Sequence, residues 1–163
     1  MEIERKYLVQ ELPENLSQYN YKKIEQGYLC HNPTIRIRKS NEDYILTYKS
    51  KFGLEPAEEG GPLVNNEVEL PLTEEAYLTL RGKTDGNMVY KTRYLIPLWD
   101  GLTAELDIFD GLLRGLILVE VEFSDRQGAD EFCPPAWFGK DLSGDRRFTN
   151  YHLSKLSNLS ELG

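Results

Sequence analysis

The sequence contains few residues of the types that bind soft metals or cross-link secreted proteins. Its 163 residues include two cysteines and two histidines, and these residues do not have the spacing of a metal site. We therefore expect Cys30 and Cys133 to be reduced thiols of a cytoplasmic protein. No apolar run approaches the length of a membrane span, and Glu2 and Glu4 stand where a signal peptide would need positive charge. Contact with a membrane is not expected.

An excess of positive charge is also missing. Lysine and arginine total 19 against 27 aspartate and glutamate residues, which gives a formal net charge of −8. This balance argues against nucleic-acid binding, which depends on cations that displace counterions from phosphates. The proportions of hydrophobic residues (40%) and charged residues (28%) are those of an ordinary globular protein. We expect a single domain over residues 1–163.

Alternation of polar and apolar residues is the dominant pattern of the chain. Turn residues such as Asp100-Gly101 and Asp110-Gly111 separate the alternating segments, and short connections favour antiparallel neighbours. The prediction is a mainly β (α+β) protein in which an eight-stranded antiparallel sheet closes into a barrel and therefore has no exposed edges. The predicted strands are Glu2–Val9, Lys23–Cys30, Thr34–Lys39, Asp43–Lys49, Val64–Leu70, Met88–Pro97, Leu102–Phe109 and Leu116–Phe123.

Three segments break the alternation and predict flanking helices. Thr73–Arg81 has Thr73 as its cap, acidic residues in its first turn and a glycine after it. Ser124–Phe132 has Ser124 as its cap and is followed by two prolines, which stop a helix. The third begins at Thr149 or Asn150 and runs towards Leu159.

Charged residues recur at every second position in six of the predicted strands, and a seventh, Asp43–Lys49, carries Lys49 on the same face as Thr47, so each of these strands has one charged face. In the first strand, Glu2, Glu4 and Lys6 share one face, and Ile3 and Tyr7 share the other. A single strand of this kind is typical of any sheet with a solvated face. Seven such strands, most of them carrying charge of one sign, favour a charged interior with the apolar faces outward. The charges are eight carboxylates (Glu2, Glu4, Glu67, Glu69, Glu105, Asp107, Glu120, Glu122) and six cations (Lys6, Arg36, Arg38, Lys49, Lys91, Arg93).

The chemistry of these two sets indicates what the interior would hold. Carboxylates without histidine or cysteine partners suit hard cations such as Mg²⁺ or Mn²⁺. Arginine and lysine suit phosphate oxygens. Because burying so many charges without a ligand would cost too much free energy, the pattern predicts a water-filled barrel that binds divalent metal ions and a polyphosphate together.

The order of these motifs resembles that of the CYTH-domain proteins, the triphosphate tunnel metalloenzymes. The similarity covers essentially the whole chain and begins with the Glu-x-Glu-x-Lys signature in "EIERKYLV". Further matching segments are "QGYL" (26–29), "TIRIRKS" (34–40), "LTYKS" (46–50), "EVEL" (67–70), "KTRY" (91–94), "ELDIFDG" (105–111), "LVEVEF" (118–123) and "GDRRFTNYHLSK" (144–155).

The resemblance implies an antiparallel tunnel that hydrolyses a triphosphate, with inorganic tripolyphosphate as the first candidate and nucleoside triphosphates as further ones. Two Mg²⁺ or Mn²⁺ ions per site would polarise the phosphate and lower the pKa of the attacking water. By position, the metal ligands would be Glu2, Glu4, Asp107, Glu120 and Glu122, and the phosphate contacts Lys6, Arg36, Arg38, Lys49, Lys91 and Arg93.

Some positions carry less specific expectations from the resemblance. Glu67 and Glu69 fall on an acidic pair of the family, with a role in metal binding or water positioning. Tyr28 with Lys91 resembles a catalytic dyad, although a tyrosine that merely lines the barrel fits the pattern equally well. Many relatives have an arginine where this chain has Asn65, which removes one cation from the tunnel.

Several readings of the function remain open at the level of sequence. A class IV type adenylate cyclase and a thiamine triphosphatase would need a similar set of charges, but no feature of the sequence indicates an adenine site. A polyphosphate- or nucleotide-binding module without turnover is the non-enzymatic alternative, and the full acidic set argues against it. The oligomeric state is open between monomer and homodimer.

Overall fold

The computed structural model describes residues 1–162. Within this range the chain forms nine strands: β1 (Glu2–Val9), β2 (Asn20–Cys30), β3 (Thr34–Ser40), β4 (Asp43–Ser50), β5 (Leu63–Pro71), β6 (Asp85–Pro97), β7 (Thr103–Phe109), β8 (Ile117–Phe123) and β9 (Phe138–Asp141). The α-helices are α1 (Glu74–Arg81), α2 (Arg126–Glu131) and α3 (Asn150–Leu153). Single 3₁₀ turns lie at Leu16–Gln18, Gly111–Leu113, Arg146–Phe148 and Leu159–Leu162. None of the helices in residues 1–162 has the length and apolar character needed to span a membrane.

Eight of the strands close into an antiparallel barrel in the order β1-β5-β4-β3-β2-β6-β7-β8. Closure occurs at β1, which pairs with β8 along one edge and with β5 along the other. The pairing with β5 covers Glu2 to Glu4, and the short strand β9 takes over the same edge of β1 at Tyr7 and Val9. The predicted eight-stranded closed barrel is confirmed, and β9 is an additional strand outside it.

The apolar face of β1 points away from the barrel interior. Ile3 and Tyr7 pack in a cluster that also contains Phe138 of β9 and Ala129 of α2. Tyr7 contacts the ring of Phe138 with 5.0 Å between centroids. Because the side chains of a strand alternate between its two faces, this outward packing turns Glu2, Glu4 and Lys6 inward.

A second apolar cluster lies at one end of the barrel. Val89, Phe109 and Leu118 stand at the inward positions of β6, β7 and β8, two residues from charged inward positions. They pack against tail residues that include Phe148 and Leu153. The C-terminal tail therefore covers this end of the barrel, and the charged cavity occupies the remaining interior.

The helices differ from the prediction in two places. Helix α1 is confirmed, with the Thr73 hydroxyl accepting a hydrogen bond from the amide of Ala76. The predicted Ser124 cap of α2 is wrong, because the Asp125 carboxylate accepts from the amide of Gly128 and starts the helix one residue later.

The third helix is shorter than predicted and ends at Leu153. The carbonyl groups of Ser154 and Leu156 accept hydrogen bonds from the backbone and side-chain amides of Asn87 in β6. These carbonyls are therefore not available to continue a helix towards Leu159, where a separate 3₁₀ turn begins.

Candidate functional site

Charged side chains from strands distant in the sequence meet inside the barrel. They line a cavity of about 180 Å³ with seven carboxylates and five cations. A second cavity of about 200 Å³ shares four of the lining residues, namely Glu4, Arg36, Lys49 and Asn150. The first cavity is bordered by Glu2, Glu4, Lys22, Arg36, Arg38, Lys49, Glu67, Glu69, Arg93, Glu105, Glu120 and Glu122.

Lys49 joins the two strands that close the barrel. Its Nζ lies 3.0 Å from Oε1 of Glu2 on β1 and 3.2 Å from Oε2 of Glu67 on β5. Burial alone would lower the pKa of Lys49, but Glu4, Glu2 and Glu67 outweigh it and raise this pKa. Lys49 is therefore a charged ammonium group at the seam of the barrel.

Arg93 and Lys91 of β6 share one carboxylate on β7. Arg93 donates from Nε (2.7 Å) and Nη2 (2.9 Å) to the two oxygens of Asp107, and Lys91 Nζ donates to Asp107 at 2.8 Å. Burial would raise the pKa of Asp107, but Arg93 and Lys91 hold it below its usual value. Burial lowers the pKa of Lys91 to about 7. Arg93 also donates to Glu105 at 2.9 Å.

Lys6 connects β1 to the C-terminal tail. Its Nζ donates to the carbonyl of Phe148 at 3.0 Å and lies 3.5 Å from Oε1 of Glu120 on β8. Burial would raise the pKa of Glu120, but Lys6 and Arg93 hold it well below its usual value. Glu120 is therefore ionised in the interior of the barrel.

The two arginines of β3 have uncharged partners. Arg36 donates to the hydroxyl of Thr47 at 3.0 Å. Arg38 donates from Nε (3.0 Å) and Nη2 (2.8 Å) to the side-chain oxygen of Gln26. Burial, together with Arg36 and Arg93, lowers the pKa of Arg38 to about 9.

Three of the predicted metal ligands repel one another in the cavity. Burial, followed by Glu120 and Glu2, raises the pKa of Glu4 well above its usual value. Burial, together with Glu2 and Glu105, raises the pKa of Glu122 to about 7. Burial also raises the pKa of Glu2, although Lys49, 3.0 Å from its Oε1, opposes this rise. A bound cation would relieve each of these costs.

The donor set therefore fits a hard divalent cation. All of its candidate ligands are carboxylate oxygens, which Mg²⁺ and Mn²⁺ prefer. Within residues 1–162, however, no three histidine, cysteine, aspartate or glutamate side chains are already grouped as a metal site. Three of the carboxylates that a metal would use, Glu2, Asp107 and Glu120, are instead paired with lysine or arginine.

The two residues of the predicted dyad lie in different surroundings. Tyr28 is buried at the second cavity, where its hydroxyl accepts a hydrogen bond from Gln26 at 3.2 Å and its ring meets Tyr151 of the tail edge-on. Lys91 is fully buried against Asp107. No hydrogen bond joins Tyr28 to Lys91 in the described part of the chain.

The remaining predicted positions also border the cavities. Glu69 and Glu105 line the first cavity beside Glu67. Asn65 lines the second cavity and stands opposite Glu2 in the pairing of β5 with β1.

The sequence reasoning missed three uncharged residues of the site. Gln26 and Thr47 hold the arginines of β3, and Asn150 borders both cavities with a buried Oδ1 that has no partner among residues 1–162. The signal for Gln26 and Thr47 was available, because both lie on the inward parity of their strands. Asn150 had no such signal, since it starts a short helix outside the sheet.

Barrel and cavity together define the class of protein. The chain is a closed antiparallel β-barrel whose interior brings cations and carboxylates together in a cavity of about 180 Å³. Such an interior can bind an anion with several negative charges and a hard cation side by side.

Comparisons with known proteins identify the family to which the chain belongs. It is 38% identical over 157 residues to an inorganic triphosphatase of Nitrosomonas europaea, covering 94% of this chain and 96% of that protein. An inorganic triphosphatase of Acetivibrio thermocellus is 29% identical over 162 residues, covering 94% of this chain and 93% of the relative. A crystal structure of an inorganic triphosphatase superimposes with a TM-score of 0.68 at 34% identity, covering 98% of this chain and 97% of the other. No family model matches the chain. The chain belongs to the family of these inorganic triphosphatases.

Proposed function

We propose that this protein hydrolyses inorganic tripolyphosphate to pyrophosphate and phosphate, as a CYTH-domain triphosphate tunnel metalloenzyme. The observation that carries the proposal is the cavity in which arginines and lysines face carboxylates inside a closed barrel. The 38% identity to a protein named inorganic triphosphatase also supports the proposal.

The cations would bind the phosphate chain and stabilise charge that spreads over the transferred group. Arg36 and Arg38 point the same way from β3 into the first cavity, and Lys49 and Arg93 border it from β4 and β6. Lys6 borders the second cavity. Stabilisation of this charge by fixed cations is the largest expected contribution to phosphoryl transfer.

The carboxylates Glu2, Glu4, Glu120 and Glu122 would hold Mg²⁺ or Mn²⁺, and Glu67 and Glu69 would support them. Asp107 would be a further ligand, which requires it to exchange its hydrogen bonds with Arg93 and Lys91. When bound, two such ions supply Lewis-acid polarisation of the phosphate and a water of lowered pKa. Glu4 lines both cavities and would orient the attacking water. The water oxygen forms a bond to the terminal phosphorus, the bond to the pyrophosphate oxygen breaks, and the water proton leaves to a carboxylate or to solvent.

Tyr28 and Lys91 have secondary roles in this proposal. Tyr28 would place its hydroxyl beside the phosphate chain in the second cavity, where Gln26 already orients it. Lys91 would keep Asp107 and Arg93 in place, because the three groups form one hydrogen-bonded cluster.

The experiment is phosphate release measured with Mg²⁺ and with Mn²⁺ on pyrophosphate, tripolyphosphate, ATP and thiamine triphosphate. We expect tripolyphosphate to have the highest kcat/KM, and Glu4→Gln to lower it by about a hundredfold. Glu14→Gln, at an exposed position, is the matched control. Tight tripolyphosphate binding with no phosphate release under either metal would refute hydrolysis. Formation of cyclic AMP from ATP would identify a cyclase instead.

A further inference from the structure

Arg36 and Arg38 differ from several other cations inside the barrel because they form no ion pair with a carboxylate. Lys6, Lys49 and Arg93 each form ion pairs with glutamate or aspartate. Arg36 and Arg38 form none within residues 1–162, and their side-chain hydrogen bonds go to a hydroxyl and a carboxamide. The positive charge of these two arginines is therefore not cancelled by a direct partner.

The strand register explains why the two arginines escape pairing. Arg36 stands between Tyr28 on β2 and Thr47 on β4, and Arg38 stands between Gln26 and Ile45 on the same two strands. Every direct cross-strand neighbour of the pair is thus uncharged. Elsewhere in the barrel a carboxylate occupies such a neighbouring position, as Asp107 does opposite Arg93.

Gln26 holds Arg38 in the way a carboxylate would, but without a negative charge. Its Oε1 accepts from both Nε and Nη2 of Arg38, and its Nε2 donates to the hydroxyl of Tyr28. Gln26 is completely buried, whereas Arg38 is half-buried and borders the first cavity. One edge of the guanidinium group is therefore fixed by the protein.

Arg36 is also held by an uncharged acceptor, but through one hydrogen bond instead of two. Its Nη2 donates to Thr47, and its Nε is buried without a partner in the described chain. An unpaired buried donor on a cation is costly unless a ligand accepts from it. The two arginines thus combine free charge with an unused donor at one wall of the cavity.

We propose that Gln26 is a positioning residue that fixes Arg38 through a neutral acceptor, so that Arg36 and Arg38 form the charge centre that anchors the polyphosphate chain. The inference rests on the proposed function only in taking a triphosphate as the ligand. A glutamate at this position would accept the same two hydrogen bonds but would cancel the charge that attracts phosphate. The neutrality of residue 26 is therefore the functional requirement.

The test is Gln26→Glu, which preserves size and both hydrogen bonds accepted from Arg38, adds a negative charge, and leaves the Tyr28 hydroxyl to donate to the carboxylate where it now accepts from the amide. Calorimetry with tripolyphosphate in EDTA measures binding without turnover, and steady-state phosphate release with Mg²⁺ gives KM and kcat. We expect Gln26→Glu to raise both the dissociation constant and KM by at least about tenfold, with kcat less affected. The melting temperature should not fall, because the new carboxylate pairs with the Arg38 guanidinium and accepts from the Tyr28 hydroxyl.

Two further variants separate position from charge. Gln18→Glu adds the same charge at an exposed residue and should leave binding unchanged. Gln26→Leu removes the acceptor and should weaken binding while also lowering the melting temperature. A role in structure alone predicts that Gln26→Glu binds tripolyphosphate as wild type does while Gln26→Leu fails, and this result would overturn the inference.

The outcomes also separate this inference from the proposed function. Wild-type protein that binds tripolyphosphate but releases no phosphate would refute hydrolysis, and the binding constants of the Gln26 variants would still decide the inference. Wild-type protein that neither binds tripolyphosphate in EDTA nor releases phosphate from it with Mg²⁺ would overturn both.

Discussion

Arg93 and Asp107 stand directly opposite each other on β6 and β7 and form a bidentate ion pair at 2.7 and 2.9 Å. Lys91 donates to the same carboxylate, and all three side chains are buried. Asp107 therefore neutralises two buried cations, Lys91 and Arg93, at hydrogen-bond distance. The arrangement explains how a barrel can hold so many charges in its interior before any ligand binds.

This cluster predicts a large loss of stability for Asp107→Asn. Removing one partner of a buried ion pair leaves uncompensated charge, which costs about 3–5 kcal/mol. Urea denaturation in EDTA measures the free energy of unfolding. Asp110→Asn, at an exposed residue without a side-chain cap bond, is the control. Equal losses in the two variants would contradict a structural role for the cluster.

Tyr7→Ser should lower stability more than activity. The Tyr7 ring packs outside the barrel against Phe132 and Phe138, so its removal leaves a cavity in that cluster. We expect a loss of about 3–5 kcal/mol in the free energy of unfolding, with kcat retained below the melting transition. Tyr21→Ser, at an exposed ring, should cost less than about 1 kcal/mol. A fall in kcat without a fall in stability would place Tyr7 inside the site.

The raised pKa of Glu122 leads to a prediction of how the free energy of unfolding depends on pH in the absence of metal. Burial and neighbouring carboxylates raise its pKa from 4.5 to about 7 in the folded protein. Between these two values the folded state holds a proton that the unfolded state has released, so the free energy of unfolding falls as pH rises through this window. Glu122→Gln should reduce this dependence when melting temperatures are compared from pH 4.5 to 8 in EDTA, and the raised pKa values of Glu2 and Glu4 should account for the rest. An unchanged slope would show that Glu122 is not perturbed.

Divalent metal should stabilise the folded protein through the same carboxylates. A ligand that binds only the folded state at a hundred times its dissociation constant adds about 2.7 kcal/mol to the free energy of unfolding. We expect Mg²⁺ and Mn²⁺ to raise the melting temperature of wild type and of Glu14→Gln, and to raise that of Glu4→Gln much less. An equal shift in Glu4→Gln would remove Glu4 from the metal site.

Much of the fold could be predicted because alternation is a local property. Each strand carries its own two-residue period, and all eight predicted strands occur within a few residues of their predicted ends. The charged faces were assigned to the interior because seven strands share one design. The four-residue strand β9 was missed, since Phe138–Asp141 is too short for a period to be visible.

The sequence by itself determined which strand residues share a face, because the period of two separates the two faces of each strand whatever its neighbours are. Only the tertiary structure decided which of these side chains contact one another. Strand order brings Lys49 to Glu2, and register sets Arg38 beside Gln26 and Arg93 beside Asp107. Pairing across a closed sheet depends on which strands become neighbours and by how many residues they are offset, and no local pattern contains that information. This offset therefore decides which cations of the barrel, such as Arg93, pair with a carboxylate and which, such as Arg38, do not.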